Sequence, residues 1–337
     1  MSTIRIPDGY TSDKPLTLLE TQKAIDIIKL VFIRHLKSAL CLTRVSAPLF
    51  VADHTGLNDD LNNVERAVCF DIKETGGTAQ VVQSLAKWKR YALGKYGFAP
   101  GTGLVTDMNA IRRDEEMDNL HSIYVDQWDW EAVLPEGKRN KAYLMETVQK
   151  IVDAICDTAE ELHVIFPSLG SIPSRSVSFI TTQELEDLYP DATPQERENR
   201  YVREHKTAFI MEIGGKLRSG IRHDGRAPDY DDWKMNGDII MWNDTLGQAF
   251  EVSSMGIRVD AASMDQQLTL AGCDERRLLP FHKMVLDGTL PLTIGGGIGQ
   301  SRLCMLLLHK AHIGEVQVSI WDDKTVAACK AAGIRLL

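Results

Sequence analysis

The stretch Gly295-Gly296-Gly297-Ile298-Gly299-Gln300-Ser301-Arg302 constrains the fold of this chain more than any other. A glycine run at a strand end, opening into the apolar helical stretch 302–308, removes side chains where another group can approach the backbone. Amide donors at such a helix start, with Arg302 in its first turn, suit a nucleotide or its phosphates. No Lys-Ser/Thr pair follows, so this is not a P-loop, and the Rossmann spacing with an acidic residue downstream is missing. Two common phosphate-binding architectures are thereby set aside. The plain alternative is a tight turn with no ligand.

The rest of the pattern points to a mixed architecture. From Thr17, Leu18, Ala24, Ile25, Ile28, Val31, Phe32, Leu36 and Leu40 recur at helical spacing, and Thr17 with Glu20 forms a capping box. Residues 42–49 alternate like a strand as far as Pro48, which suits a strand end or sheet edge. Strand-like runs follow at 79–82, 121–130, 208–213, 237–242 and 249–259, with helical stretches at about 143–162, 183–189, 195–205, 263–271 and 274–287. Strands separated by irregular loops, without strict strand–helix alternation, favour an α+β fold. The expectation is one domain over 1–337, its core at about 16–320, built on a mainly antiparallel sheet flanked by helices.

Charge and cysteine usage bound the partners. Thirty-eight Lys plus Arg against 47 Asp plus Glu leave a net charge of −9, the wrong balance for non-specific nucleic-acid binding. The six cysteines contain no C-x-x-C pair, which argues against a zinc knuckle or a disulfide framework and for reduced thiols. The N-terminus carries no apolar signal core, and apolar runs such as 303–308 are too short to span a bilayer. A cytoplasmic protein with neither a nucleic-acid nor a membrane partner is expected.

Three further segments carry candidate chemistry. In Glu251-Val252-Ser253-Ser254-Met255-Gly256-Ile257-Arg258, strict alternation puts Glu251 on one strand face and Ser254 on the other. A carboxylate in an apolar strand is costly unless a metal ion or a basic partner meets it. Asp238 offers a second hard oxygen ligand, a set suited to Mg²⁺, while a structural ion pair with an arginine is the bland alternative. Lys87-Trp88-Lys89-Arg90 reads as a solvated basic face. In Val125-Asp126-Gln127-Trp128-Asp129-Trp130-Glu131, Gln127 and Asp129 share a face opposite the tryptophans, fit to line a polar pocket. The charged run 222–233 reads as a solvated loop, with His223 a surface or supporting residue.

Taken in order, the segments 82–90, 121–131, 222–233, 253–260 and 295–302 resemble the ammonia-dependent (type A) asparagine synthetases, the aspartate–ammonia ligase family. That family is similar in fold to the catalytic domain of class II aminoacyl-tRNA synthetases. The helix to about Leu40 with Pro48 resembles the dimer-forming first motif, Arg112 with the strand from His121 the second, and the glycine run through Arg302 the third. The resemblance implies a homodimer using ATP, Mg²⁺, L-aspartate and ammonia through a β-aspartyl-adenylate. It implies catalytic roles for Asp59, Lys89, Arg112 and Gln127, and substrate binding by Ser84, Asp129 and Arg302. Nucleotide binding falls to Arg112, Glu251 and Arg302, and metal binding to Asp238, Glu251 and Ser254. A tRNA-charging enzyme of the same class and a non-catalytic synthetase-like regulator are the rivals. No cysteine has an adjacent histidine, so ammonia itself, rather than glutamine, is the expected nitrogen donor.

Overall fold

The computed structural model describes residues 4–59, 61 and 65–337; Met1, Ser2 and Thr3, part of the N-terminal reading, lie outside the described residues. The chain runs α1 (Leu18–Leu40), β1 (Leu42–Arg44), β2 (Phe50–Ala52), β3 (Cys69–Ile72), β4 (Gly77–Val81), α2 (Ala86–Tyr96), β5 (Gly103–Ile111) and β6 (Tyr124–Val133). There follow α3 (Lys141–Ile165), β7 (Ser178–Thr181), α4 (Thr182–Leu188), α5 (Pro194–His205), β8 (Thr207–Met211), β9 (Asp231–Asn243) and β10 (Gln248–Arg258). The last elements are α6 (Ala261–Ala271), α7 (Pro280–Leu286), β11 (Thr293–Gly299), α8 (Gln300–Leu307) and α9 (Asp323–Ala331).

Eight strands form one sheet in the order β1-β5-β6-β11-β10-β9-β8-β7. Pairing is antiparallel throughout its interior, with parallel pairs at the two edges only, β1 with β5 and β7 with β8. This is the mainly antiparallel α+β arrangement expected. A small sheet, β2-β4-β3, sits apart from it. One face of the large sheet carries the main core, where Phe32 and Leu36 of α1, Ile151 and Ile155 of α3 and Leu303 of α8 cover Trp128, Trp130, Phe250 and Met255. The Phe32 and Trp128 rings lie 4.6 Å apart. The middle of the α1 stripe, Ala24, Ile28, Phe32 and Leu36, is thus spent inside the molecule, while Leu18 stays exposed. The capping box at Thr17 and Glu20 starts this helix where the sequence placed it.

Local chemistry explains the departures from expectation. Residues 274–287 do not form one helix. A 3₁₀ turn at Asp274–Leu278 precedes α7, because Pro280 supplies no N–H for a continuing helical ladder. The alternating run 42–49 pairs only as β1, and the segment carrying Pro48 leaves the sheet. β9 begins at Asp231, so Trp233 lies inside a strand and not in a loop. Most consequential, β10 carries a bulge: Glu251 pairs with Ile240, yet Ser253 already pairs with Ile239. The extra residue reverses side-chain parity, so Phe250, Val252, Met255 and Ile257 all enter the core. Glu251 and Ser254 therefore come to the same face, correcting the strict alternation read from the sequence. Among the described residues, no helix is long and apolar enough to cross a membrane.

Candidate active site

The sheet face opposite α1 and α3 holds a cavity of about 480 Å³, within the usual size of a ligand pocket. It is lined by Asp59, Ser84, Lys89, Arg112, Gln127, Asp129, Asp238, Glu251, Ser254 and Arg302, so the ten residues to which the resemblance gives site roles meet in one place. Gln127 and Asp129 project from β6, Asp238 from β9, and Glu251 and Ser254 from β10. Arg302 stands in the first turn of α8 and Lys89 in α2, while Asp59, Ser84 and Arg112 come from connecting segments. Trp128 and Trp130, turned to the core, are why Gln127 and Asp129 face the cavity.

The glycine run works differently from its first reading. β11 lies between β6 and β10, and a Cβ on Gly297 would fall 2.2 Å from Gln127 Oε1. One on Gly295 would fall 2.2 Å from Glu131 Oε2. The groups that approach this backbone are therefore β6's own polar side chains. Nor is the α8 N-terminus open to phosphate. The Ser301 amide donates to Asp126 Oδ1 at 3.0 Å, and Gln317 Nε2 donates to the same oxygen at 3.3 Å. A protein carboxylate already takes the place that favours an anion.

Opposite charges interleave across the floor. Lys89 is 1% exposed; its ammonium donates to Asp129, to the Trp130 carbonyl at 3.0 Å and to the Gly296 carbonyl at 3.1 Å. All three ammonium protons are thereby used, so Lys89 holds Asp129 in place. Burial pushes the Lys89 ammonium down and the Asp129 carboxyl up, each partly offset by the other's charge. Arg258 donates to Glu131 Oε2 at 2.8 Å and to Asp231, joining β6 to the start of β9. Burial raises the Glu251 carboxyl, but Arg302, Arg226, His121 and Arg112 outweigh it and hold the group below its ordinary value. Arg302 Nη1 lies 3.6 Å from Glu251 Oε1, so the arginine pairing of the bland reading is present too. Arg112 follows β5 directly; the residue is half-buried, and among the described residues its buried Nε has no hydrogen-bond partner.

The proposed metal ligands are not equivalent. Asp238 Oδ1 accepts from Ser254 Oγ at 2.6 Å and from Arg226 Nη2 at 2.5 Å, while Arg226 also donates to Ser254. Burial pushes the Asp238 carboxyl up despite that guanidinium. Among the described residues, no group of three or more His, Cys, Asp or Glu side chains could hold a metal by itself. The Glu251 side chain, 42% exposed, fits an ion that keeps most of its waters, whereas Asp238 and Ser254 already share a cation.

Two bland readings are overturned. Lys87, Lys89 and Arg90 are 3% exposed or less, and each is bonded to protein acceptors, so no solvated basic face exists. The 222–233 run is also largely internal: Asp229, Asp231 and Asp232 are buried, with Asp232 accepting from Arg139 at 2.6 Å. His223 is buried and lies 2.9 Å from Glu198 Oε1, in a supporting position away from the cavity. Arg226, Tyr230, Asp231 and Arg258 line the cavity and were not singled out. The crowding of charge in 222–233 was the signal that could have revealed the first three.

This sheet, with its cavity on the open face, defines a class II aminoacyl-tRNA synthetase-like catalytic fold. Asparaginyl-tRNA synthetase from Entamoeba histolytica, in complex with asparaginyl-adenylate, superposes with a TM-score of 0.66 at 12% identity, over 89% of this chain and 66% of that one. The corresponding Pyrococcus horikoshii complex gives a TM-score of 0.62 at 15% identity, over 88% and 68%. This chain thus spans about two thirds of the length of those synthetases. The aspartate-ammonia ligase family model matches residues 19–333. The chain is 56% identical to the aspartate–ammonia ligase of Ruminiclostridium cellulolyticum over 100% of both chains. It is 55% identical to that of Clostridium tetani over 98% of this chain and 97% of the other. The chain belongs to the aspartate–ammonia ligase family and is an enzyme of it.

Proposed function

We propose that the chain joins ammonia to L-aspartate at the expense of ATP, through a β-aspartyl-adenylate, giving L-asparagine, AMP and pyrophosphate. The carrying observation is the Arg112 guanidinium, its Nε without a hydrogen-bond partner among the described residues, in one cavity with Arg302 and with Glu251 and Asp129. An aspartate carboxylate resists ammonia because its carbon is electron-rich and oxide leaves poorly. Attack of that carboxylate on the α-phosphorus expels pyrophosphate, and AMP then becomes the leaving group when ammonia attacks the acyl carbon. Arg112 supplies the charge that stabilises the α-phosphoryl group, an electrostatic contribution that is usually the largest one. Arg302 holds the nucleotide, and Ser84, Gln127 and Asp129 orient aspartate, with Lys89 fixing Asp129. Ammonium has no lone pair, so a site carboxylate, Asp59 or Asp129, takes its proton. Mg²⁺, held at Glu251 with Asp238 and Ser254 nearby, would draw charge from phosphate oxygens.

The reading extends to a homodimer; because the middle of the α1 stripe is buried within the chain, the family resemblance is what supports it. It also extends to a single catalytic domain and a cytoplasmic location. The family's name and the asparaginyl-adenylate of the structural relatives support the adenylate route. The test supplies ATP, aspartate and ammonium chloride, and separates the nucleotide products by chromatography. Stoichiometric AMP and pyrophosphate, independent of added tRNA, are expected. Stoichiometric ADP, or a requirement for tRNA, would overturn the reading.

A further inference from the structure

Asp229 lies in the segment joining β8 to β9 and is 0% exposed. Its neighbours Tyr230 and Asp231 line the cavity, but Asp229 does not. A single oxygen, Oδ2, accepts from Lys87 Nζ at 3.0 Å and from Arg276 Nη1 at 2.9 Å, and lies 2.9 Å from His282 Nε2. Three basic side chains from two other parts of the chain thus converge on one buried carboxylate.

Each of those parts leads to a site residue. Lys87 is in the first turn of α2, two residues before Lys89, whose ammonium holds Asp129. Arg276 and His282 belong to the 3₁₀ turn and to α7, against which the approach to Asp59 is seated. Gly56 has a φ of 71°, and a Cβ there would fall 2.9 Å from Leu279 Cβ and 3.2 Å from His282 Nδ1. Leu57 packs against the apolar cluster that contains Phe281 and Val285 of α7. Asp229 itself stands between Arg226 and Asp231, which contact Asp238 and Arg258. The same carboxylate therefore ties α2 and, through the 3₁₀ turn and α7, the Asp59 approach to the 226–230 segment that leads into β9. Glu251 and Arg302 stand on β10 and α8 and Arg112 follows β5 directly, and none of β5, β10 and α8 supplies a partner to Asp229.

We propose that Asp229 is a positioning residue that sets α2, whose Lys89 holds Asp129, and the approach to Asp59, and with them the fit of the amino-acid substrate rather than of the nucleotide. The proposal rests on the ligase reading for which residues face aspartate and which face ATP. Removing the charge leaves Lys87, Arg276 and His282 facing one another, and the three segments separate.

The experiment uses the full chain with Asp229→Asn and, as a milder change, Lys87→Met. It measures aspartate binding by titration calorimetry and steady-state ligation with aspartate and ATP varied in turn. Asp229→Asn is expected to raise the aspartate Kd and KM about tenfold, while the ATP KM stays within about twofold. Lys87→Met shifts the aspartate values the same way by about threefold. Should Asp229→Asn fail to fold, Lys87→Met decides on the same two numbers. Unchanged aspartate binding in a folded variant overturns the proposal, as does an equal loss for aspartate and ATP, the mark of a merely structural role. Wild-type ligation is the reference arm, and its absence would overturn the functional reading instead.

Discussion

The two sides of the cavity are built on different physics. The floor comes from neighbouring strands, with Gln127 and Asp129 on β6, Glu251 and Ser254 on β10, Asp238 on β9, and the glycines of β11 between the first two. Ladder hydrogen bonds hold such strands about 4.8 Å apart, so positions there are settled by pairing. The rim comes from connecting segments and has no ladder. Asp59 is placed through its carbonyl, which accepts from Gln83 Nε2 at 2.8 Å, and Arg226, in the segment before β9, is placed by its buried pair with Asp238. A floor of this kind answers to volume changes, and a rim of this kind to changes of charge.

The largest effect that would sharpen the contrast is at Arg112, a rim charge just past the end of β5. Arg112→Ala should lower turnover by about 10³-fold, roughly 4 kcal/mol, with the melting curve of the wild type. The exposed neighbour Arg113→Ala is the control. Wild-type rates in both variants would remove Arg112 from the phosphate role.

The floor should break by volume. A Cβ on Gly296 would fall 2.5 Å from Met255 Cβ and 2.8 Å from the Ser254 carbonyl, both fixed on β10. Gly296→Ala should therefore cost about 3 kcal/mol of stability. Gly297→Ala meets only the amide end of Gln127, so stability falls less while activity falls as Gln127 is displaced. Urea unfolding of the two variants gives the comparison, and equal losses would erase the distinction.

The smallest effect concerns the segment that brings Ile313 and Gln317 to the cavity. His312 there is 0% exposed, its Nδ1 accepts from the Gly314 amide at 3.0 Å, and its ring packs on Trp321. Burial lowers the imidazole to about 4, below its value in the unfolded chain. The unfolded state therefore binds the proton more readily. The stabilisation is present above roughly pH 6.5 and is lost as pH falls toward the folded value. By pH 5 the wild type should have lost about 2 kcal/mol more than His312→Gln. Parallel stability–pH curves for the two proteins would contradict this.

Much of the molecule was legible from local pattern. Helix starts were marked by Thr17 with Glu20, and the face of β6 by the alternation of Gln127 and Asp129 with Trp128 and Trp130, because capping and the two-residue strand period act between near neighbours. The ten candidate site residues were reached through the resemblance to a known family, carried by the order of the motifs along the chain. What needed the tertiary structure were events set by a partner far away in sequence. The bulge that turns Glu251 and Ser254 to one face exists only against β9. Asp126 on the α8 amide closes a phosphate site that the glycine run alone left open. Lys87, Lys89 and Arg90 are buried because their acceptors arrive from residues 129 to 296, and no window around them contains those groups. A local sequence states which side chains are charged; only the assembled fold decides which of those charges meet each other and which meet water.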